Sequence, residues 1–157
     1  PRRGGASGEA AGDGDGSGEG SGGQPPAFDY EAAVRPEKEP PPSTPGAILR
    51  VRVDDRHWLG FGYDGEASVV HDSANILTPL KLDRGTNVAR YAAGDRLVRA
   101  GFLWDENRAQ LPGKAYLVHQ PVGRGHVVAF AEDPNVRAFA DGLNLMLMNA
   151  LLLTAGR

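Results

Sequence analysis

Cysteine is absent from all 157 residues, which removes thiol nucleophiles, Cys-ligated zinc and disulfide scaffolds together. It leaves the redox compartment open. Serine is scarce where it would matter: past residue 46 only Ser68 and Ser73 occur. Neither stands in the Gly-x-Ser-x-Gly setting that exposes a catalytic hydroxyl. No apolar run reaches the roughly 18–20 residues that a bilayer requires. The longest, Leu143–Leu153, is shorter and is broken by Asn144 and Asn149, so no membrane span is expected. A signal-peptide pattern is missing as well, because the N-terminus is glycine-rich and polar. The first residue is proline rather than methionine, and the expectation is of a processed chain or a piece of a longer one.

What is present is unevenly distributed. Residues 1–46 hold four Lys/Arg against eight Asp/Glu, whereas residues 47–157 hold thirteen against twelve. A nucleic-acid binder normally carries a basic face or stripe, and this balance predicts none. Residues 1–26 combine dense glycine, serine and acidic side chains and cannot bury enough apolar area to offset their ordering entropy. They read as a disordered linker. A calcium loop drawn from Asp13, Asp15 and Glu19 lacks the closing bidentate glutamate and the apolar frame such loops need. Residues 27–46 form a proline-rich lead-in: Phe28, Tyr30 and Val34 have surface to dock, a helical turn at Glu31 must end before Pro36, and Pro40–Pro42 favour an extended path. A proline-motif ligand for a partner is the competing reading of that stretch.

The folded part is read from Ala47 to Arg157. Ile48, Arg50 and Arg52 alternate with Leu49, Val51 and Val53, the period of a half-buried strand or one near an edge. Short strands are expected at 67–71, 87–92 and 97–103, and a short helix from Trp104 to Leu111 stopped by Pro112-Gly113. Ala115–His119 and His126–Ala131 are two β-rich runs whose connection contains Gly123 and Gly125, which supply the positive φ a tight hairpin demands. The second run is apolar without alternation and predicts a strand covered by helices on both faces. Asp133-Pro134 predicts a helix start, followed by a face of Val136, Phe139, Ala140, Leu143, Leu147, Ala150 and Leu151. From Leu143 onward that helix is apolar on nearly all sides and needs cover all round.

Few residues carry chemistry. His57, His71, His119 and His126 begin no H-x-x-E or H-E-x-x-H pattern. His119 and His126 sit on opposite arms of the predicted hairpin, close enough in principle to come together, but a zinc site needs a third converging ligand, and satisfied strand histidines are the expectation. His71-Asp72-Ser73 is contiguous in the chain, which does not aim the side chains at one another. Gly123-Arg-Gly125 lacks the third glycine and the strand-to-helix setting of a dinucleotide loop. Asp133, Asn135 and Arg137 follow a buried strand, where ligands gather in open α/β sheets; together with Gly123 and Gly125 they are the candidate ligand-proximal or structural residues. Capping is the leading role for Asp133. Trp58, Phe61 and Tyr63 are read as aromatic packing under a loop, with a sugar or peptide platform as the alternative. No catalytic, cofactor-binding or metal-binding residue is assigned.

Several stretches in order, Glu39-Pro-Pro-Pro-Ser-Thr-Pro-Gly-Ala-Ile48, Asp54-Asp-Arg-His-Trp-Leu-Gly-Phe-Gly-Tyr63, Asn87-Val-Ala-Arg-Tyr91 and Arg99-Ala-Gly-Phe-Leu-Trp104, are followed by Val122-Gly-Arg-Gly-His-Val-Val128, Phe130-Ala-Glu-Asp-Pro-Asn-Val-Arg137 and Asn149-Ala150. Over residues 27–157 this resembles the C-terminal region of bacterial zinc carboxypeptidases of the carboxypeptidase A type, where a domain similar to class I glutamine amidotransferases follows the peptidase domain. The resemblance implies an α/β fold, a partial flavodoxin-like or amidotransferase-like sheet with a β-hairpin and a C-terminal helix, preceded by the linker. It implies a zinc-dependent parent that hydrolyses C-terminal peptide bonds, and a secreted or periplasmic location. No position here matches the family's H-x-x-E ligands, general base or substrate arginine, nor the amidotransferase cysteine, so no catalytic role is carried over.

The resemblance therefore implies a non-catalytic accessory segment, whose partners are the upstream peptidase domain and the remaining strands of its own polypeptide. The alternatives are a stand-alone interaction or ligand-binding module presenting Trp58–Tyr63, and an independent metalloenzyme built on His119 and His126.

Overall fold

The computed structural model describes residues 29–136 and 141–154; the linker, Phe28, Arg137, Phe139 and Ala140 lie outside the described residues. The elements are α1 (Tyr30–Ala33), β1 (Ala47–Val53), β2 (Glu66–His71), β3 (Thr86–Tyr91), β4 (Val98–Gly101), α2 (Asp105–Gln110), β5 (Ala115–Val122), β6 (Gly125–Phe130) and α3 (Asp141–Leu153), with 3-10 turns at Trp58–Gly60 and Gly94–Arg96. Helix and strand are mixed, as expected of an α/β chain; the hairpin stands where it was predicted, and the C-terminal helix is present but described from Asp141, with Asp133–Val136 in a turn instead of the expected helix start.

The strands form one curled sheet in the order β2-β1-β3-β5-β6, with β4 also on β1. Strand β1 lies inside the sheet. Its residues Ala47–Arg52 pair β2 on one side, while Val51–Val53 pair β3 and Ala47–Leu49 pair β4 on the other. Its alternation is realised in full: Ala47, Leu49, Val51 and Val53 are buried, and Ile48, Arg50 and Arg52 face outward. On that outer face Arg50, Arg96 and Arg99 converge on Glu66, a solvated cluster of small energetic weight.

Two expectations fail here. A flavodoxin-like sheet is built of parallel strands joined by crossover helices, but every registered pairing is antiparallel. The connections decide this. A parallel crossover takes a dozen residues or more, yet β5 and β6 pair down to Val122 and Gly125 across only Gly123 and Arg124, and α2 is one six-residue helix. Second, β6 is not covered on both faces: it pairs only β5, at the sheet's end, and Val127 is 47% exposed. The strand buried on both faces is its neighbour, with Ala115, Tyr116, Leu117, Val118 and His119 all inside. Apolar content marked the hairpin correctly but not which arm is interior.

The lead-in lies along this body, held by polar side chains. Lys114, itself buried, sets its ammonium against Ala33 O at 3.0 Å and Arg35 O at 2.9 Å, and against Glu37 Oε1 at 2.8 Å. A cation at a helix C-terminus complements the unpaired carbonyls there. Asn107 donates to Pro42 O and Trp104 to Ser43 O, both at 3.2 Å. An extended proline segment leaves such carbonyls free to accept.

Helix α3 packs on the inner face over β2 and the Trp58–Gly60 turn. The buried positions are Leu143, Met146 and Asn149 with Ala150 half-buried, whereas Leu151, expected inside, is exposed. Asn149 replaces it for a stated reason: its amide donates to Leu59 O at 3.1 Å and to Phe61 O at 2.8 Å. The bond to Leu59 O is buried and that to Phe61 O is part-buried, so the Leu59 carbonyl above all depends on this donor. Replacing Asn149 by leucine adds apolar surface, yet it is expected to lower unfolding free energy by about 2–4 kcal/mol because two carbonyls lose their donors. Urea unfolding of the variant checks this; a neutral or stabilised variant refutes it.

Candidate functional site

Two polar clusters stand out, and the same loop geometry builds the first. After β1 the chain turns through Asp54, whose carboxylate accepts the Arg56 N–H, and enters the 3-10 turn. His57 caps that turn: its Nδ1 accepts the Leu59 N–H at 3.2 Å. Gly60 is obligatory, since a Cβ there would lie 2.2 Å from Asp54 O, well inside van der Waals contact. The cap swings the far side of the His57 ring toward β5, where Nε2 meets His119 Nδ1 at 3.1 Å. His119 in turn meets His126 Nδ1 through its Nε2 at 2.9 Å. Three imidazoles thus form a row from loop to β5 to β6. Trp58 stands edge-on to His119 with ring centroids 5.4 Å apart. Behind His119 the chain before β3 comes so close that a Cβ on Gly85 would sit 2.4 Å from His119 O. Beside the row, Asp55, Arg56, His57, Trp58, Phe61 and Leu153 line a shallow groove of about 500 Å³.

The second cluster is buried. Glu132, just past β6, places Oε1 2.6 Å from His71 Nδ1 and accepts the Ser73 hydroxyl at 2.6 Å. Ser73 Oγ also accepts the Asn75 N–H at 2.8 Å. His71 and the phenols of Tyr91 and Tyr116 are fully or almost fully buried. Their rings run edge-on from His71 to Tyr91 to Tyr116 with centroids 6.0 Å apart at each step. Among the described residues His71 Nε2 and both phenolic oxygens have no hydrogen-bond partner. Burial, followed by the nearby Glu132 charge, pushes both phenols above the ordinary tyrosine range. Tyr63 is raised too, by burial, although the Met146 N–H bonded to its oxygen opposes the shift.

The candidate residues named from sequence do not meet. Gly123, at φ +59°, makes the hairpin turn and Gly125 opens β6. Asp133 and Asn135 follow the other end of that strand, about 20 Å away at about 3.3 Å per residue. Asp133 is exposed, and its carboxylate accepts the Asn135 N–H at 2.8 Å, closing a local turn; α3 is described only from Asp141. Arg137 is outside the described residues. The contiguous His71-Asp72-Ser73 does not form a nucleophile relay either: the Ser73 hydroxyl donates its hydrogen bond to Glu132, and Asp72 is exposed. Of the three aromatics, Trp58 and Tyr63 pack on the core while Phe61 is 69% exposed.

Sequence reasoning missed Glu132 and the part of His57. No spacing rule joins residues 61 positions apart. The cap position of His57, next to an aromatic, was the one local signal. Among the described residues no group of three His, Cys, Asp or Glu side chains converges to hold a metal ion. The row does not fit zinc, because His119 spends each ring nitrogen on a different neighbour and one ion cannot reach all three rings. Comparison with family models, with curated proteins and with solved structures finds no match to this chain.

The three raised phenols fix a pH response. The unfolded chain ionises near 10, whereas the folded one holds Tyr63, Tyr91 and Tyr116 neutral to higher pH. Stability is therefore full below pH 10 and is lost as pH rises through and beyond it. Unfolding midpoints measured across that range are expected to fall more steeply for the native chain than for the Tyr91→Phe/Tyr116→Phe double variant. Equal slopes would show that these phenols are not the cause.

Proposed function

We propose that this chain is a non-catalytic accessory module of a zinc carboxypeptidase of the carboxypeptidase A type, and that α3 docks it on another part of its parent. The observation that carries this reading is the outward face of α3. Leu145, Met148, Leu151, Leu152 and Leu153 are 37%, 46%, 64%, 66% and 37% exposed, and Phe61 adjoins them. Contiguous apolar surface of this kind marks an interaction site, and burying one such leucine contributes about 1–2 kcal/mol. The polar clusters support a structural rather than a reactive role. Glu132 is bound by Ser73 and His71 within the fold, and the row of imidazoles bond one another. Zinc, proteolysis and a secreted or periplasmic setting belong, on this reading, to the parent.

The groove beside Trp58 and Phe61 favours one alternative, a stand-alone interaction or ligand-binding module. The two readings separate in the gene and in the tube. The coding frame upstream is expected to contain an H-x-x-E motif and a later histidine; a frame without them defeats the carboxypeptidase reading. The isolated chain is expected to bind an apolar dye, with most of the signal removed in a Leu151→Asp/Leu152→Asp variant that keeps the native midpoint. A chain that binds no dye favours the stand-alone module.

A further inference from the structure

The histidine row has a direction. Because the Leu59 N–H donates to His57 Nδ1 at 3.2 Å, that nitrogen carries no proton, and the neutral His57 ring must bear its hydrogen on Nε2. Nε2 therefore donates to His119 Nδ1, which places the hydrogen of His119 on its own Nε2. That hydrogen is given to His126 Nδ1, leaving the His126 hydrogen on Nε2. One backbone N–H thus sets the tautomer of three side chains on three elements.

We propose that this row is a proton-operated latch, which fastens the Asp55–Phe61 loop and its groove to the β5–β6 hairpin when neutral and releases them when a proton enters. Each lone pair in the row already holds a neighbour's hydrogen. A proton taken up at one of these Nδ1 atoms turns an acceptor into a second donor, which then faces the N–H it formerly received. At His126 it confronts the His119 Nε2–H, at His119 it confronts the His57 Nε2–H, and at His57 it confronts the Leu59 N–H. The balance is one proton in from solvent and one imidazolium formed, with no other hydrogen moved. The contacts whose loss frees the loop are the His57–His119 bond and the cap of the 3-10 turn.

The surroundings do not supply a counter-charge to His119 or His126. The charged groups of the packed elements are Asp54, Asp55 and Arg56 on the loop, Asp83 and Arg84 on the chain before β3, Arg90 on β3 and Arg124 in the hairpin turn, while α3 from Gly142 to Thr154 has none. Among the described residues no carboxylate lies within ion-pair distance of His119 or His126. His119 is accordingly held below the usual histidine range, by burial first and by His126 second. The device does not require docking on α3, since it works within the chain alone.

Nitrogen-15 spectra of the imidazoles, recorded on the whole chain from about pH 8 to about pH 5 across the histidine range, test it directly. The expected result is the Nε2–H tautomer at His57, His119 and His126 in neutral solution. Amide exchange at Leu59, corrected for intrinsic rates, should then speed up at least tenfold once the row protonates. In His126→Phe the His119 midpoint should rise. An Nδ1–H tautomer at His119, three independent titrations with Leu59 unaffected, or a stoichiometric zinc ion in the purified protein would each overturn the proposal. Should the His126 variant fail to fold, the tautomers and the Leu59 exchange of the native chain still decide.

Discussion

The placement of α3 depends on the Asn149 carboxamide under the 3-10 turn, joined by the Tyr63 hydroxyl at Gly142 O and the Met146 N–H. Two carbonyls of a tight turn project inward at Leu59 and Phe61, and a buried carbonyl without a donor costs more than any single methyl group returns. The helix therefore sets its rotation by its amide rather than by its most apolar arc. Leu143 and Met146 follow Asn149 inward by helical spacing, and Leu151 and Leu152 are left outside. The same bonds hold the turn that His57 caps. A rotation that buried Leu151 instead would strand both carbonyls and disturb the loop that reaches His119.

This explains where the sequence was legible and where it was not. Period-two alternation located β1 without error because one face of that strand is wet and the other dry. The hairpin was legible because a two-residue connection needs a residue at positive φ, and Gly123 supplies it. Strand order was not legible. An apolar run such as His126–Ala131 looks the same whether it lies at the sheet's end or in its middle, and only pairing partners tell them apart. The helix face failed for a different reason: hydropathy ranks asparagine outside, and no local pattern says that two carbonyls await it. The candidate residues Gly123, Gly125, Asp133 and Asn135 were visible because turns and caps have short-range signatures. Glu132, His71 and Ser73 were invisible as a group because their contacts span 59 positions or more.

The two polar clusters differ in what their geometry allows. Glu132 is a sink: its oxygen gathers Ser73 and His71, and the neighbouring phenols are kept protonated by their burial first and by its charge second. Such a buried polar group specifies one arrangement of β2, the turn at Ser73 and the segment after β6, because any slip would leave a carboxyl group without donors. It ties the end of β2 to the end of β6 from within. The histidine row instead spans elements at the rim, and its members pass hydrogens in one sense.

That difference bears on how the exposed apolar face of α3 and a polar rim can share one surface. Leu153 lines the groove with His57, Trp58 and Phe61, so the end of the greasy helix and the start of the histidine row border the same hollow. Whatever covers the leucines comes within a side chain's reach of the cap at His57. Covering that hollow removes water from the imidazoles, which favours their neutral form, and a neutral row is the one that keeps the loop closed. Docking and latch would then stabilise each other by linkage: each proton excluded from the row favours the covered state, and each contact on the leucines favours the unprotonated one.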